Sequence, residues 1–180
     1  MGNVTDKDNE KGLPERKSTR LKNYDYSSAG VYFVTICTGD RKQILSHIVG
    51  GDVLDAPKIS PKIELTGCGI IARKYLTQLN LSYDILKVDG YVIMPDHIHL
   101  MLIVLDNGAS GTSPPTRQHS TVSRFVSTFK RFCNKEYGMN IWQRGFNDHI
   151  IRDRRDYELH RKYMYENPLR WYYKYLNFEK

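Results

Sequence analysis

The sequence has few cysteines, and none are spaced as metal ligands are. Cys37, Cys68 and Cys133 are its three cysteines, and no two of them form a Cys-x-x-Cys pair. Zinc knuckles need such pairs, and the disulfide frameworks of small secreted domains need a dense and even set of cysteines. The sequence therefore excludes a cysteine-based zinc knuckle. We expect the three thiols to be free, as they are in the reducing interior of a cell.

Long apolar segments are also missing. No apolar run reaches the length of a transmembrane helix, and the polar N-terminus has no apolar region of the kind that secretory signal peptides carry. We therefore expect a soluble intracellular protein with no membrane partner.

The chain carries an excess of positive charge. It has 27 lysines and arginines against 20 aspartates and glutamates, which gives a formal net charge of +7. A basic balance favours a polyanionic partner, of which nucleic acid is the commonest. Residues 1–23 are polar and basic, and we interpret them as a flexible arm that can lie on phosphates. Residues 24–180 contain enough apolar residues for one domain with a core.

The order of the predicted elements indicates the fold. The predicted strands are 31–38, 84–93, 97–105 and a short piece at 149–151. The predicted helices run from a Thr66 cap to about residue 79, over 121–137, and from about Arg155 to Pro168, which we expect to interrupt the last helix. Residues 43–65 fit a loop or a small hairpin insertion. This order predicts an α+β sandwich of the ferredoxin-like, split βαβ kind, with an antiparallel central sheet and helices on one face.

His97 and His99 lie two residues apart in the predicted strand 97–105. Side chains of a strand alternate between its faces, so both imidazoles point to the same side, as two ligands of one divalent cation must. Ile98 and Leu100 then point to the other side, toward a core. Taken alone, the pattern also fits two partly exposed histidines with no ligand.

Tyr163 and Asn167 lie four residues apart on the last predicted helix and therefore share a face. If that face packs over the histidine strand, two imidazoles, an amide oxygen and a phenol come together, and such a set can hold a divalent ion with open positions. A phenol has a pKa of about 10 in water and is a poor nucleophile without a neighbouring cation. Since the chain has 13 tyrosines, a tyrosine such as Tyr163, taken alone, is more often a core residue than a catalytic one.

Several segments together resemble a known family. Residues 91–102, Tyr-Val-Ile-Met-Pro-Asp-His-Ile-His-Leu-Met-Leu, are similar to the motif of the HUH endonucleases, in which a hydrophobic residue separates two histidines. Residues 142–152, 163–170 and the lead-in 20–26 resemble the REP-associated tyrosine transposases, which are single-tyrosine HUH enzymes. The resemblance covers about residues 16–172.

The resemblance implies both a ferredoxin-like fold and an activity. It implies that His97, His99 and Asn167 bind Mg²⁺ or Mn²⁺, and that Tyr163 forms a covalent 5′-phosphotyrosine and frees a 3′-OH. Tyr165 is the rival nucleophile, but it falls about 200° around the helix from Tyr163 and lacks an amide partner four residues on. The implied protein is a metal-dependent single-stranded DNA endonuclease and strand transferase that cuts near hairpin-forming repeats, in the bacterial cytoplasm with the nucleoid.

The implied partners are single-stranded and hairpin DNA, bound by a monomer or a homodimer. Phosphates attract basic side chains, and aromatic side chains can stack on unpaired bases. The candidate DNA-binding residues lie on the arm, on the helix 121–137 and before the last helix: Arg20, Lys22, Arg124, Lys130, Arg131, Arg152, Arg154 and Arg155.

Two other functions stay open on the residues alone. A non-catalytic nucleic-acid-binding module can also be built on a ferredoxin-like sheet, although the aromatic RNP-like string of such modules is missing from this sequence. A zinc hydrolase would need a further ligand and a water-activating base, for which His149 and Asp148 are candidates.

Overall fold

The computed structural model of the chain describes residues 28–50, 61–106 and 120–176. The predicted arm 1–23, with Arg20 and Lys22, lies outside these ranges, as does most of the polar loop that follows residue 106. Within them the elements are, in chain order, β1 Gly30–Cys37, a 3-10 turn Gly39–Arg41, β2 Ser46–Val49, β3 Lys62–Leu65, α1 Gly67–Ser82, β4 Leu86–Ile93, β5 His97–Val104, α2 Thr121–Tyr137, β6 Asn147–Ile151 and α3 Arg154–Leu176. None of the helices in these ranges is both long and apolar enough to cross a membrane.

Four of the strands form the central sheet, in the order β4-β5-β1-β6. Each neighbouring pair is antiparallel. The order, with α1 and α2 connecting the strands, confirms the predicted ferredoxin-like arrangement. Strands β2 and β3 pair with each other in a separate two-stranded sheet, which is the small hairpin insertion expected between residues 43 and 65.

Side chains of β1 alternate between the two faces of the central sheet. Tyr32, Val34 and Ile36 are fully buried in a core that α1 and α2 cover. Phe33 packs on the other face, against Met164 of α3. The expectation of helices on one face therefore holds for α1 and α2 but not for α3. This difference matters for function, because α3 is the helix that carries Tyr163.

Helix α3 continues through Pro168 to Leu176, so the prediction that Pro168 interrupts it is wrong. Proline has no N–H, and the carbonyl of Met164, four residues earlier, loses that helical partner. The helix is held by tertiary contacts along its length, with β4 and β6 of the central sheet and with β2. Such packing contributes more to a helix in a protein than local propensity does.

Helix α1 begins very close to the segment before β2. Thr66 is its N-cap, as predicted: its hydroxyl accepts a hydrogen bond from the N–H of Gly69 at 3.3 Å and donates one to the carbonyl of Leu45 at 3.0 Å. The absence of a side chain at Gly69 permits this approach, since a Cβ there would lie 2.0 Å from the same carbonyl oxygen.

Gly69→Ala is therefore expected to destabilise the fold, because the backbone near Leu45 must move. A forced shift of this kind costs about 1–3 kcal/mol or more, and each kcal/mol lowers the melting temperature of a chain of this length by roughly 2–4 °C. Gly67→Ala is the matched control, since a Cβ there meets nothing within 4 Å and alanine favours a helix by up to about 1 kcal/mol over glycine. Thermal unfolding of both variants is the measurement, and equal stabilities would contradict the close approach.

Candidate active site

The register of β5 against β1 sets the direction of the two histidines. His97 pairs with Cys37 and His99 with Thr35. Ile98, between them, is fully buried in the core under α1 and α2, so both imidazoles lie on the α3 face. Their Nε2 atoms are 3.0 Å apart, which confirms that the His-x-His spacing brings the two rings together.

On each imidazole, the nitrogen that does not face the other ring contacts a polar side chain. Nδ1 of His97 makes a short contact with the carboxylate of Asp96, and Nδ1 of His99 lies 2.8 Å from the hydroxyl oxygen of Thr35. Burial alone would raise the pKa of Asp96, but its hydrogen bond with His97 and its electrostatic interactions with His97 and Arg41 outweigh burial and hold that pKa below its usual range. The carboxylate is therefore ionised at neutral pH and orients His97, as outer partners of metal-binding histidines commonly do.

The sequence alone does not single out Asp96 or Thr35. Asp96 could have been found from its place directly before the first histidine, because a carboxylate is a common partner for the far nitrogen of a metal-binding imidazole. Thr35 could not, since it lies 64 residues from His99 in the chain and only the strand register brings the two together.

His99 lies in a nearly dry environment. It is 5% exposed, and its ring stacks on Phe33 with centroids 5.0 Å apart. Burial, followed by electrostatic interactions with His97 and Arg41, lowers the pKa of His99 to about 3. Because a lowered pKa means that protonation begins only near pH 3, the imidazole is neutral at physiological pH. In the tautomer whose Nδ1–H donates to Thr35, Nε2 keeps a free electron pair for a metal ion.

Helix α3 brings Tyr163 and Asn167 to the same place. The amide nitrogen of Asn167 is 3.3 Å from Nε2 of His99, and the ring of Tyr163 lies edge-on to His99 with centroids 5.4 Å apart. Asn167 is buried, whereas Tyr163 is 39% exposed. Tyr165 is 88% exposed and turns away from the histidines.

Tyr163 borders a small open cavity of about 310 Å³, with Phe33, Leu159 and His160 as its other walls. The guanidinium carbon of Arg170 lies 5.7 Å from the centre of the Tyr163 ring. A reactant can therefore reach the phenol from solvent, while the opposite side of the ring faces the buried histidines.

The donor atoms fit a divalent ion. An octahedral ion with bonds of about 2.1 Å has neighbouring ligand atoms about 3.0 Å apart, and the Nε2 atoms of His97 and His99 have that separation. A half-turn of the Asn167 amide, whose two ends are nearly alike in shape, places its oxygen where the nitrogen lies. These three side chains can hold the ion with positions left open for water or a phosphate.

The candidate DNA-binding residues of α2 lie on the far side of the sheet from Tyr163. Arg124 and Arg131 are exposed there. Lys130 donates hydrogen bonds to the carbonyls of Gln143, at 2.7 Å, and Gly145, so it holds the loop before β6. The structure does not bring these three residues to the Tyr163 site.

A second basic group lies at the start of α3, the helix that carries Tyr163. Arg152, Arg154 and Arg155 are exposed at the junction of β6 and α3. Arg155 lies about two helical turns before Tyr163 on the same helix.

His149 does not join the histidine pair, as a zinc hydrolase built on that pair would require. It lies on β6 and contacts Asp156 at 2.9 Å. Strand β1 separates β6 from β5, and the ring of Phe33 contacts both His99 and His160. The residues that the structure describes therefore include an imidazole cluster on each side of Phe33.

Comparisons with known sequences identify relatives of the chain, although no family model matches it. An uncharacterized protein of Haemophilus influenzae is 26% identical over 175 residues, which cover 89% of this chain and 92% of that protein. A second Haemophilus influenzae protein, named "Putative REP-associated tyrosine transposase", is 30% identical over 160 residues, or 83% of this chain and 77% of the relative. The REP-associated tyrosine transposase of Escherichia coli is 29% identical over 84 residues, 47% of this chain and 45% of its own.

The same family is found among solved structures. A REP-associated tyrosine transposase solved in complex with a REP hairpin matches with a TM-score of 0.57 at 22% identity, over 84% of this chain and 73% of that one. This match supports the fold. Because the relative that is 30% identical covers 83% of the chain, the chain belongs to the family of REP-associated tyrosine transposases, and with it to the enzymes of the transposase kind.

Proposed function

We propose that the chain is a metal-dependent single-stranded DNA endonuclease and strand transferase of the HUH single-tyrosine type. It cuts beside hairpin-forming repeats and passes through a 5′-phosphotyrosine on Tyr163. The observation that carries the proposal is the meeting of His97, His99 and Asn167 beside the half-exposed ring of Tyr163. The two imidazoles come from β5, and the amide and the phenol come from α3, so polar groups of two separate elements converge at one place.

The metal proposed for this site is Mg²⁺ or Mn²⁺, held by His97, His99 and Asn167. When bound, such an ion withdraws charge from a phosphate oxygen and orients the phosphodiester. The residues of the chain prepare the two histidines to bind the ion. His99 is neutral at physiological pH, and Asp96 and Thr35 fix the two rings, so little rearrangement is needed before DNA binds.

Tyr163 acts as the nucleophile. Its oxygen attacks the phosphorus of an unpaired phosphodiester as the phenol proton passes to solvent, and the bond between phosphorus and the 3′-oxygen breaks. The 3′-oxygen takes up a proton to become a 3′-OH, and the 5′-phosphate stays on Tyr163. Attack of a 3′-OH on this phosphotyrosine reverses the steps, which joins DNA ends and restores the phenol.

The DNA proposed for this site is a hairpin with an unpaired flank. A relative in the family was solved bound to a REP hairpin, and the net charge of +7 suits a polyanion. Arg152, Arg154 and Arg155 are placed to hold phosphates near Tyr163, and Arg20 and Lys22 on the arm are proposed to read the unpaired flank. The protein can act in this way as a monomer or as a homodimer.

Tyr163→Phe is expected to abolish both cleavage and the covalent adduct, since it removes the only atom that attacks. Loss of a nucleophile costs on the order of 10³-fold or more in rate, while folding and hairpin binding should stay unchanged. The assay incubates labelled hairpin DNA carrying an unpaired flank with Mn²⁺ and resolves the products on a denaturing gel. Tyr165→Phe is the matched control and should retain full activity. Activity lost in the control and kept in Tyr163→Phe would reverse the assignment.

Removal of the metal or of its ligands is expected to stop cleavage. His97→Ala and His99→Ala each remove one ligand, and excess Mn²⁺ should restore part of the activity. Asp96→Asn keeps the shape but loses the charge behind His97, and we expect metal affinity about 10–100-fold lower. His47→Gln, on β2 and exposed, is the control. Cleavage rates measured across a metal titration test this, and full activity in the presence of chelator would refute a metal-dependent reaction.

Hairpin affinity is expected to fall steeply as salt rises, because bound phosphates release counterions. Replacing Arg154 and Arg155 together by Gln should lower the salt slope by roughly 1.5–2. The same change at Arg124 and Arg131, on the far side of the sheet, should lower it less.

Deleting residues 1–22 should weaken hairpin binding more than binding of unstructured single strands. Equal affinity for duplex, hairpin and random single strands would leave a plain binding module and argue against the transposase mechanism.

A further inference from the structure

A second cluster of metal-ligating side chains lies where β6 meets α3. His149 comes from β6, and Asp156 and His160 come from the first two turns of α3. One ligand atom from each residue lies within 4.8 Å of the other two. None of the three belongs to the His97, His99 and Asn167 site, and the steps proposed for Tyr163 do not use them.

Short distances link all three side chains. Nε2 of His149 lies 2.9 Å from Oδ2 of Asp156, and Nδ1 of His160 lies 3.0 Å from Oδ1 of the same carboxylate. The two imidazole rings stack nearly parallel, 17° apart in plane, with centroids separated by 4.4 Å. Both rings therefore present a nitrogen to the same carboxylate. Nδ1 of His160 also lies 2.9 Å from the backbone carbonyl of Asp156, and it gives up that contact when it binds an ion.

This spacing suits a tetrahedral ion. Zinc–nitrogen bonds of about 2.0–2.1 Å place neighbouring tetrahedral ligand atoms about 3.3 Å apart. Oδ1 of Asp156 lies 3.1 Å from Nε2 of His149 and 3.0 Å from Nδ1 of His160, so each separation needs to open by only about 0.2–0.3 Å to admit the ion. Rotation about the side-chain bonds of His149, whose side chain is 45% exposed, can supply such a movement without moving the backbone.

The Asp156 carboxylate is also held by the backbone. The N–H of Arg152 donates to Oδ2 at 3.1 Å, which fixes the carboxylate. Two imidazoles and one carboxylate form a donor set typical of Zn²⁺ and its neighbours in the first transition row, and less typical of Mg²⁺.

We propose that His149, Asp156 and His160 form a second metal site, which binds a divalent transition ion such as Zn²⁺ with water as its fourth ligand. The ion ties the edge strand β6 to the first two turns of α3. Its role is structural: it fixes the N-terminal part of the helix that carries Tyr163. His160 also contacts Phe33, with ring centroids 4.9 Å apart, and Phe33 stacks on His99. Loading of this site therefore stiffens the wall of the Tyr163 cavity. The proposal does not depend on the chemistry proposed for Tyr163.

The first experiment titrates the full, tag-free chain with Co²⁺, whose visible absorption reports coordination by nitrogen and oxygen. It uses a His97→Ala, His99→Ala background, so that the first site cannot bind. We expect one equivalent to bind, with displacement by Zn²⁺, and at least about tenfold weaker binding after His160→Gln or His149→Gln, as for the loss of a ligand. His47→Gln should change nothing. No saturable binding in the background, or binding that survives both substitutions, would overturn the proposal.

The second experiment separates ligation from simple packing. At a free Zn²⁺ concentration about 100 times the dissociation constant, the melting temperature of the background protein should rise by roughly 5–10 °C. Without metal, the His160→Gln variant should have nearly the same melting temperature as the background protein, and added Zn²⁺ should not raise it. If His160 only packed against its neighbours, the substitution would lower the melting temperature by the same amount with and without Zn²⁺. A rise kept by His160→Gln would place the ion elsewhere. If Zn²⁺ does not raise the melting temperature of the background protein, the proposal is wrong, and the three residues form a hydrogen-bonded His–Asp–His group that needs no metal.

Discussion

The antiparallel register between β1 and β5 is the constraint on which the site depends. With this register, Ile98, Leu100 and Leu102 are fully buried under α1 and α2, and His97 and His99 lie on the opposite face. A slip of one residue would exchange the two sets. Each large aliphatic side chain gains about 1.5–3 kcal/mol from burial, and two imidazoles placed in that apolar core would lose their polar partners. The hydrophobic pattern of β5 therefore fixes the direction of the atoms that we propose as metal ligands.

The polar face of the sheet is stabilised by α3 rather than by solvent. Met164 packs on Phe33 and Met101, and its position one residue after Tyr163 fixes the rotation of the helix. A Cβ at Gly90 of β4 would lie 3.1 Å from the terminal carbon of Met164, so the missing side chain there lets the helix lie close to the sheet. With the helix so placed, the Asn167 amide reaches His99, and a residue on the opposite side, such as Tyr165, cannot.

Local patterns predicted most of the elements, and the elements predicted the fold. Helix α2 has the predicted bounds, because its apolar spacing is strong and Ser120 caps its first turn at 3.3 Å. The course of α3 past Pro168 and its position on the second face were not predictable, since both depend on contacts with distant strands. The same limit applies to the arginines of α2: their charge is visible in the sequence, but which side of the sheet they occupy is decided by packing. Thr35 contacts His99 because the register of β1 against β5 places the two residues opposite each other, and no local pattern predicts that register.

The exposed fraction of the side chain differs between the two residues of α3 to which we assign roles. Asn167 is 7% exposed and Tyr163, one turn earlier, is 39% exposed, although both point to the histidines. A metal ligand benefits from a dry setting, where its dipole is not shared with water, whereas a nucleophile must meet a phosphodiester that arrives from solvent. The helix therefore lies with its Asn167 turn against the sheet and its Tyr163 turn at an opening. Arg154 and Arg155 belong to the open end of the same helix, so charge, access and nucleophile lie on one side of the protein, and that side is where we propose DNA approaches.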